Sequence, residues 1–313
     1  MNKTRTNILL CVVALLGTVA WASPMSSSAR SVIPSEVQQI ISLDYRIVRS
    51  SDTATALKSQ VMPDSLKEFE GALKGIDVDP GKDLESLTFA SFRNGKRGLK
   101  TIGVASGSIS FTVVLKKIQA QTAKPVKYQG SDLYPVSGGM SATFLDDSTL
   151  LLGDDSAVRA ALNARAGSSP GLDSNLRVSH MIDFVEKAPV WSVLDEQGSQ
   201  DLLLSALGGA AKLPAYENLK NRVLGSDYEM NFKRGVSLRI DVLASDASTS
   251  AQLSSLLKMG ALYKKLTATP AQKIALQNMT VSSGSSDLQM HFRADPKQFQ
   301  DLLHSQFFAT AAR

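Results

Sequence analysis

Residues 87–105 read Leu-Thr-Phe-Ala-Ser-Phe-Arg-Asn-Gly-Lys-Arg-Gly-Leu-Lys-Thr-Ile-Gly-Val-Ala, and residues 228–243 read Tyr-Glu-Met-Asn-Phe-Lys-Arg-Gly-Val-Ser-Leu-Arg-Ile-Asp-Val-Leu. Each stretch sets two runs rich in aromatic and β-branched residues around a short basic turn that contains glycine. Asn94-Gly95 is a strong hairpin signal, because both residues tolerate the positive φ angles of a tight turn. Lys233-Arg234-Gly235 ends on glycine for the same reason. The chain therefore carries two antiparallel hairpins, one in each half.

What surrounds the hairpins repeats as well. Before the first lie a strand over Val37–Val48, a helix over Asp52–Met62, and a second helix that Asp64 caps and Gly75 ends. After it come a helix over Phe111–Gln121, extended runs at Leu133–Val136, Ser141–Phe144 and Thr149–Leu152, and a helix led by Asp154 or Asp155. Around the second hairpin the spacing predicts a strand at Val190–Leu194 and helices at Gln200–Leu207 and Tyr216–Val223. A longer amphipathic helix at Ser250–Leu266 follows, with Leu253, Leu256, Leu257, Ala261 and Leu262 mainly on one face. Strands at Ile274–Val281 and Leu288–Phe292 precede a last helix that opens at Asp295-Pro296, an N-cap followed by proline at the first helical position. Both halves read strand, two helices, hairpin, helix, strands, helix, offset by about 135–150 residues, the size of one domain. Grouped hairpins with helices between them predict an α+β fold of two similar antiparallel sheet-plus-helix halves, arisen by internal duplication. The expected spans are 1–22 as a signal peptide, 23–35 as a flexible lead, 36–166 as the first half, 167–187 as a connection and 188–313 as the second half.

The start of the chain has the three parts of a secretory signal: Lys3 and Arg5, an apolar run from Ile8 to Val19, and Ala20-Trp21-Ala22 with small residues at −3 and −1. The run is short of the roughly 20 residues of a membrane-spanning helix. Cleavage between Ala22 and Ser23 is expected, giving a periplasmic or secreted chain with no transmembrane segment. Cys11, the single cysteine, lies inside the apolar run, so the mature chain has neither a disulfide nor a thiolate nucleophile. Cleavage leaves 291 of the 313 residues, enough for one large or two ordinary cores. Without Lys3 and Arg5, the 34 basic residues exceed the 29 acidic ones by three. That surplus is mild and scattered along the chain, unlike the clustered basic surface of a nucleic-acid binder.

Chemical motifs fail on inspection. Gly167-Ser168-Ser169-Pro170-Gly171 has the G-x-S-x-G form, but the amide needed after the nucleophile is absent at Pro170. Ser255-Leu-Leu-Lys258 has the S-x-x-K form without the S-D-N and K-T-G partners of that chemistry. The carboxylates of Asp77, Asp79, Asp83 and Glu85 miss the calcium-loop pattern, because Gly81 stands where an oxygen ligand belongs. Asp146-Asp147 reads as a turn and Asp154-Asp155 as a helix cap. His180, His291 and His304 are far apart, and no nucleotide-binding glycine motif occurs. No catalytic residue, cofactor or metal ligand is assigned.

Basic residues at the turns, Lys96, Arg97 and Lys100 in the first and Lys233 and Arg234 in the second, suggest contact with anionic lipid or polysaccharide. Ile33-Pro34 before a strand, Gly75-Ile-Asp77 with Lys82-Asp83, and the doubled layout resemble uncharacterised secreted bacterial proteins. That resemblance implies no activity and no site residue. The sequence points to an exported, non-enzymatic protein with a binding or scaffolding role in the cell envelope. Its partner there is a protein, a lipid or a polysaccharide. The alternative is an envelope-acting hydrolase of unfamiliar type.

Overall fold

The computed structural model describes residues 24–303, apart from 62–63, 94, 96–97, 122–123, 137–138 and 208–213. Ala20, Ala22 and Ser23 of the expected cleavage site lie outside the described residues, as do Lys96, Arg97 and His304.

The first half runs α1 (Ser27–Ser31), β1 (Val37–Asp44), α2 (Tyr45–Ser50), α3 (Asp52–Val61), α4 (Asp64–Gly75), β2 (Leu84–Arg93), β3 (Leu99–Gly107), α5 (Phe111–Gln121), β4 (Val126–Tyr128), β5 (Ser131–Pro135), β6 (Met140–Asp146), β7 (Thr149–Asp154) and α6 (Asp155–Arg165). The second runs α7 (Leu176–Val185), β8 (Val190–Leu194), α8 (Glu196–Leu207), α9 (Pro214–Lys220), β9 (Val223–Asn231), β10 (Val236–Ala244), α10 (Ala247–Thr267), α11 (Pro270–Gln277), β11 (Met279–Ser283), β12 (Asp287–Ala294) and α12 (Pro296–Leu303).

The fold is α+β. All strands join one twelve-stranded antiparallel sheet, ordered β11-β12-β10-β9-β8-β1-β2-β3-β7-β6-β5-β4. At its centre β1 pairs with β8, Ile40 opposite Val193 and Ser42 opposite Trp191. Outward from that pair the connectivity is the same on both sides. One side reads β1-β2-β3-β7-β6 and the other β8-β9-β10-β12-β11, so in each half the last strand returns beside the second hairpin strand.

The sheet separates two faces. On face A, Ile40, Ala90, Phe92, Ile102, Val104, Leu151, Trp191 and Val193 pack with Ala29, Val32 and Ile33 around α1, with Ala157, Val158, Ala161 and Leu162 of α6, and with Val178, Met181, Ile182 and Val185 of α7. On face B of the first half, α4 and α5 cover Leu87, Phe89, Ala105, Leu150 and Leu152. Gly103 leaves room there for the Phe69 ring; a Cβ on it would lie 2.6 Å from that ring. Face B of the second half carries two clusters, α8, α9 and α10 over Val242 and Leu288, and α3, α11 and α12 over Phe232, Val236 and Ala294. A polar link ties α2, α3 and α4 together: the Tyr45 hydroxyl donates to Glu70, which also pairs with Lys58.

Several expectations change. The stretch 23–35, read as a flexible lead, contains α1, and Ala29, Val32 and Ile33 are buried. The connection 167–187 contains α7, capped by Asn175, whose side chain accepts from Val178 N at 3.2 Å. Both are core helices that precede the first strand of a half. Ile274 lies in helix α11 rather than a strand, since Pro270 at the first helical position, after Thr269, opens a helix there. The strand expected to reach Val48 ends at Asp44, which caps α2 by accepting from Arg46 N and Ile47 N. Val223 begins β9 instead of closing α9.

Candidate functional site

Side chains alternate across a strand, so directly opposed residues of paired strands share a face. In the first half the rows on face A are Ile40-Ala90-Ile102-Gly153-Ser141 and Ser42-Thr88-Val104-Leu151-Thr143. They are mostly apolar or small, and α6 lies over them. The matching rows of the second half are Val193-Asp227-Asp241-Gln289-Ser282 and Trp191-Glu229-Arg239-His291-Thr280. Beyond β8 they are wholly polar. Among the described residues α7 reaches β8 and β9 on this face, and the apolar core of face A includes no residue of β10, β11 or β12. The last helix differs between the halves: α6 closes face A, whereas α12 packs with α3 and α11 on face B. Among the described residues, no helix covers the polar face of β10, β12 and β11, and α7 reaches only the β9 side of it.

Arg239 crosses the middle of this face. Its Nε lies 2.9 Å from Asp241 Oδ2 and its Nη1 3.6 Å from Glu229 Oε1. Asp227 and Asp241 are directly opposed. Asp227 is 9% exposed, and its Oδ1, like Asp241 Oδ1, is buried without a hydrogen-bond partner among the described residues. Burial and then the neighbouring Asp241 push the Asp227 carboxyl up to about 7, against the opposing pull of Arg239. Burial also raises Asp241, opposed by Arg239 and His291.

Where the face meets the β9–β10 turn it deepens into a basin of about 810 Å³. Glu229, Asn231 and Arg293 line it from the strands, and Lys233, Arg234 and Gly235 from the turn. Gly235 has φ +94°, and a Cβ there would lie 2.1 Å from the Ala294 carbonyl oxygen, so the turn requires glycine. Lys233 and Arg234 are exposed. Arg234 and Arg293 form no ion pair among the described residues. Asp295 caps α12, accepting from Gln298 N at 2.8 Å.

The strand ends that flank the two turns do not share one surface. The β2 end of the first hairpin lies at the close of β8, where Arg93 pairs with Asp195 at 2.6 Å. The β9 end of the second lies at the opening of β8, where Met230 opposes Val190. The turns therefore stand at opposite ends of the sheet. Lys100 is engaged as well, 2.8 Å from Asp154.

The remaining motifs make the following contacts. Pro34 and Gly171 form a bridge between the segment before β1 and the one containing Ser169. Ser255 donates to Ala251 O within α10. In the acidic loop, Asp79 accepts from Gly81 N, Asp83 accepts from Asp79 N, and Lys117 pairs with Asp77. Asp146 accepts from Ser148 N at its turn, and Asp155 pairs with Arg159. The His180 ring meets Phe184 edge-on. Among the described residues no three His, Cys, Asp or Glu side chains are grouped so as to hold a metal ion, and no helix is long and apolar enough to cross a membrane.

The residues that sequence reasoning missed are Asp227, Arg239, Asp241 and His291. Their signal is the alternation Asp227-x-Glu229-x-Asn231 and Ser237-x-Arg239-x-Asp241, polar at one parity on both strands of a hairpin.

No family model matches the chain, and no curated protein matches it. Among solved structures it is similar to TP0453 in its crystal form I, with 11% identity and a TM-score of 0.50 over 88% of this chain and 97% of that one. At that identity the likeness concerns the fold alone.

Proposed function

We propose that this chain is exported and acts outside the cytoplasm as a non-enzymatic binding module of the cell envelope. The observation that carries the reading is the polar face of the second half, open among the described residues where α6 closes the first. A folded domain has no need of such an asymmetry between two halves of one sheet with the same connectivity. The proposed contact is the basin lined by Lys233, Arg234 and Arg293. Its three cations outnumber the two lining carboxylates, Glu229 and Asp295, and Glu229 is already paired with Arg239, which favours an anionic partner, a lipid headgroup or an acidic polysaccharide. Export rests on the n-region, the apolar run and Ala20-Trp21-Ala22. The shared strand order supports descent of the halves from one duplicated unit, which then diverged on face A.

Flotation with phosphatidylglycerol vesicles, and retention on an acidic polysaccharide column, test the contact. Binding is expected to fall as salt rises, since screening reaches about 8 Å at physiological ionic strength. It should also fall when Lys233, Arg234 and Arg293 are changed together to Ser. No binding to either material, or equal binding by the triple variant, would remove the basin from the function.

A further inference from the structure

We propose that Asp227 and Asp241 together form a receiving site for a primary ammonium group on a ligand that lies along the open face of β9 and β10. This goes beyond the anionic basin and does not depend on it.

Two carboxylates directly opposed on antiparallel strands repel each other, and the cost grows with burial. Here Asp227 is 9% exposed, and one oxygen of each carboxylate has no donor among the described residues. Arg239 attracts Asp227 through space, but its contacts go to Asp241 Oδ2 and Glu229, and it gives Asp227 Oδ1 no hydrogen bond. Nor does the fold require acids in this row: the corresponding row of the first half holds Ala90 and Ile102. What the pair lacks, beside the one cation Arg239, is hydrogens directed at the two Oδ1 atoms. An ammonium group, compact and with three donors, supplies them. A divalent cation is the poorer match, because it seeks more oxygen ligands than this pair gives.

The other charged groups on the face leave room for this. Glu229 on β9 and Asp287 on β12 add negative charge, and His291 on β12 stands opposite Arg239. On α7, the helix over β8 and β9, Arg177 donates to the Leu224 carbonyl, and Asp183 lies 3.9 Å from Arg30. The proton that Asp227 holds up to a pH of about 7 would be displaced by the ammonium group, so binding should tighten as pH rises through that value.

The test is a titration of the full mature chain with 1,4-diaminobutane at pH 8, followed through the amide signals of β9 and β10. Tetramethylammonium chloride at equal ionic strength is the control, having the charge without the donors. A saturable response is expected with the diamine alone. It should weaken at least about tenfold in Asp227→Asn and in Asp241→Asn, the scale of one charged hydrogen bond, and persist in the Lys233→Ser, Arg234→Ser double variant. A second readout needs no variant: the carboxyl carbon of Asp227 should titrate at lower pH when the diamine is present. No saturable response, an equal response to tetramethylammonium, or an unmoved Asp227 titration would each overturn the proposal and leave the pair holding only a proton. The basin reading would stand or fall separately, on the vesicle and polysaccharide measurements.

Discussion

Asp227 on β9 and Asp241 on β10 are direct neighbours across the register, both held in the sheet with an oxygen that no described group satisfies. The relationship has a price in stability that depends on pH. Asp227 is raised from 3.8 to about 7 in the folded chain. Between these values the folded state binds more protons than the unfolded one, so stability declines as pH rises through the window. Below about 4 the penalty vanishes, and above about 7 it is complete.

Replacing Asp227 with Asn should therefore stabilise the protein at pH 8, on the order of 1–3 kcal/mol, and change little at pH 4. Urea unfolding at the two pH values checks this. An equal effect at both would mean that the pair is not strained by charge.

The two halves should answer oppositely to exchanged residues on face A. Ile102 is buried beneath α6, so Ile102→Asp places an unpaired charge in a core and should cost more than about 3 kcal/mol. Asp241→Val should change stability by less than about 1.5 kcal/mol in either direction, because no helix among the described residues packs over it and Arg239 retains Glu229. Comparable losses from both would argue that the second face is covered after all. Thermal unfolding of the two variants decides it.

Much of this was legible beforehand, and the misses have physical causes. The hairpins were evident because glycine and asparagine mark positive φ and because β-branched residues flank them. Helix α1 hides in a polar, proline-containing stretch: Ser26–Ser31 looks like a linker until Ala29, Val32 and Ile33 find a core contributed by distant strands. Helix α7 is legible in the helical spacing of Val178, Met181, Ile182 and Val185 after Asn175, and only the turn-like Gly167–Gly171 before it suggests a connection. Ile274 was misassigned because a short β-branched run outweighed Pro270. The basic turn at Lys233 and Arg234 was seen, but its separation from the first turn depends on β1–β8 pairing, which no local pattern encodes. The Asp227–Asp241 pair required both the register and the knowledge that α12 leaves for the other face.

Gly235 should tolerate no side chain. Gly235→Ala combines an unfavourable φ with a clash against the Ala294 carbonyl, and should cost more than about 1 kcal/mol. It should also distort the basin rim, weakening vesicle binding. Unchanged unfolding in denaturant would show that the turn can shift.

Mass spectrometry of the protein from its native host tests export. The expected chain starts at Ser23. An intact Met1 terminus on membrane-associated protein would end that part of the account.

The central claim is that the end of the sheet carrying Lys233 and Arg234 makes the contact, and the opposite end does not. Its most direct measurement is the amide shift footprint on adding dihexanoyl phosphatidylglycerol below its micelle concentration. The account predicts changes at Lys233, Arg234, Gly235 and Arg293, fading with salt, and none at Gly95 or Gly98 of the first turn. Equal changes at both turns, or a footprint confined to other parts of the molecule, would contradict it.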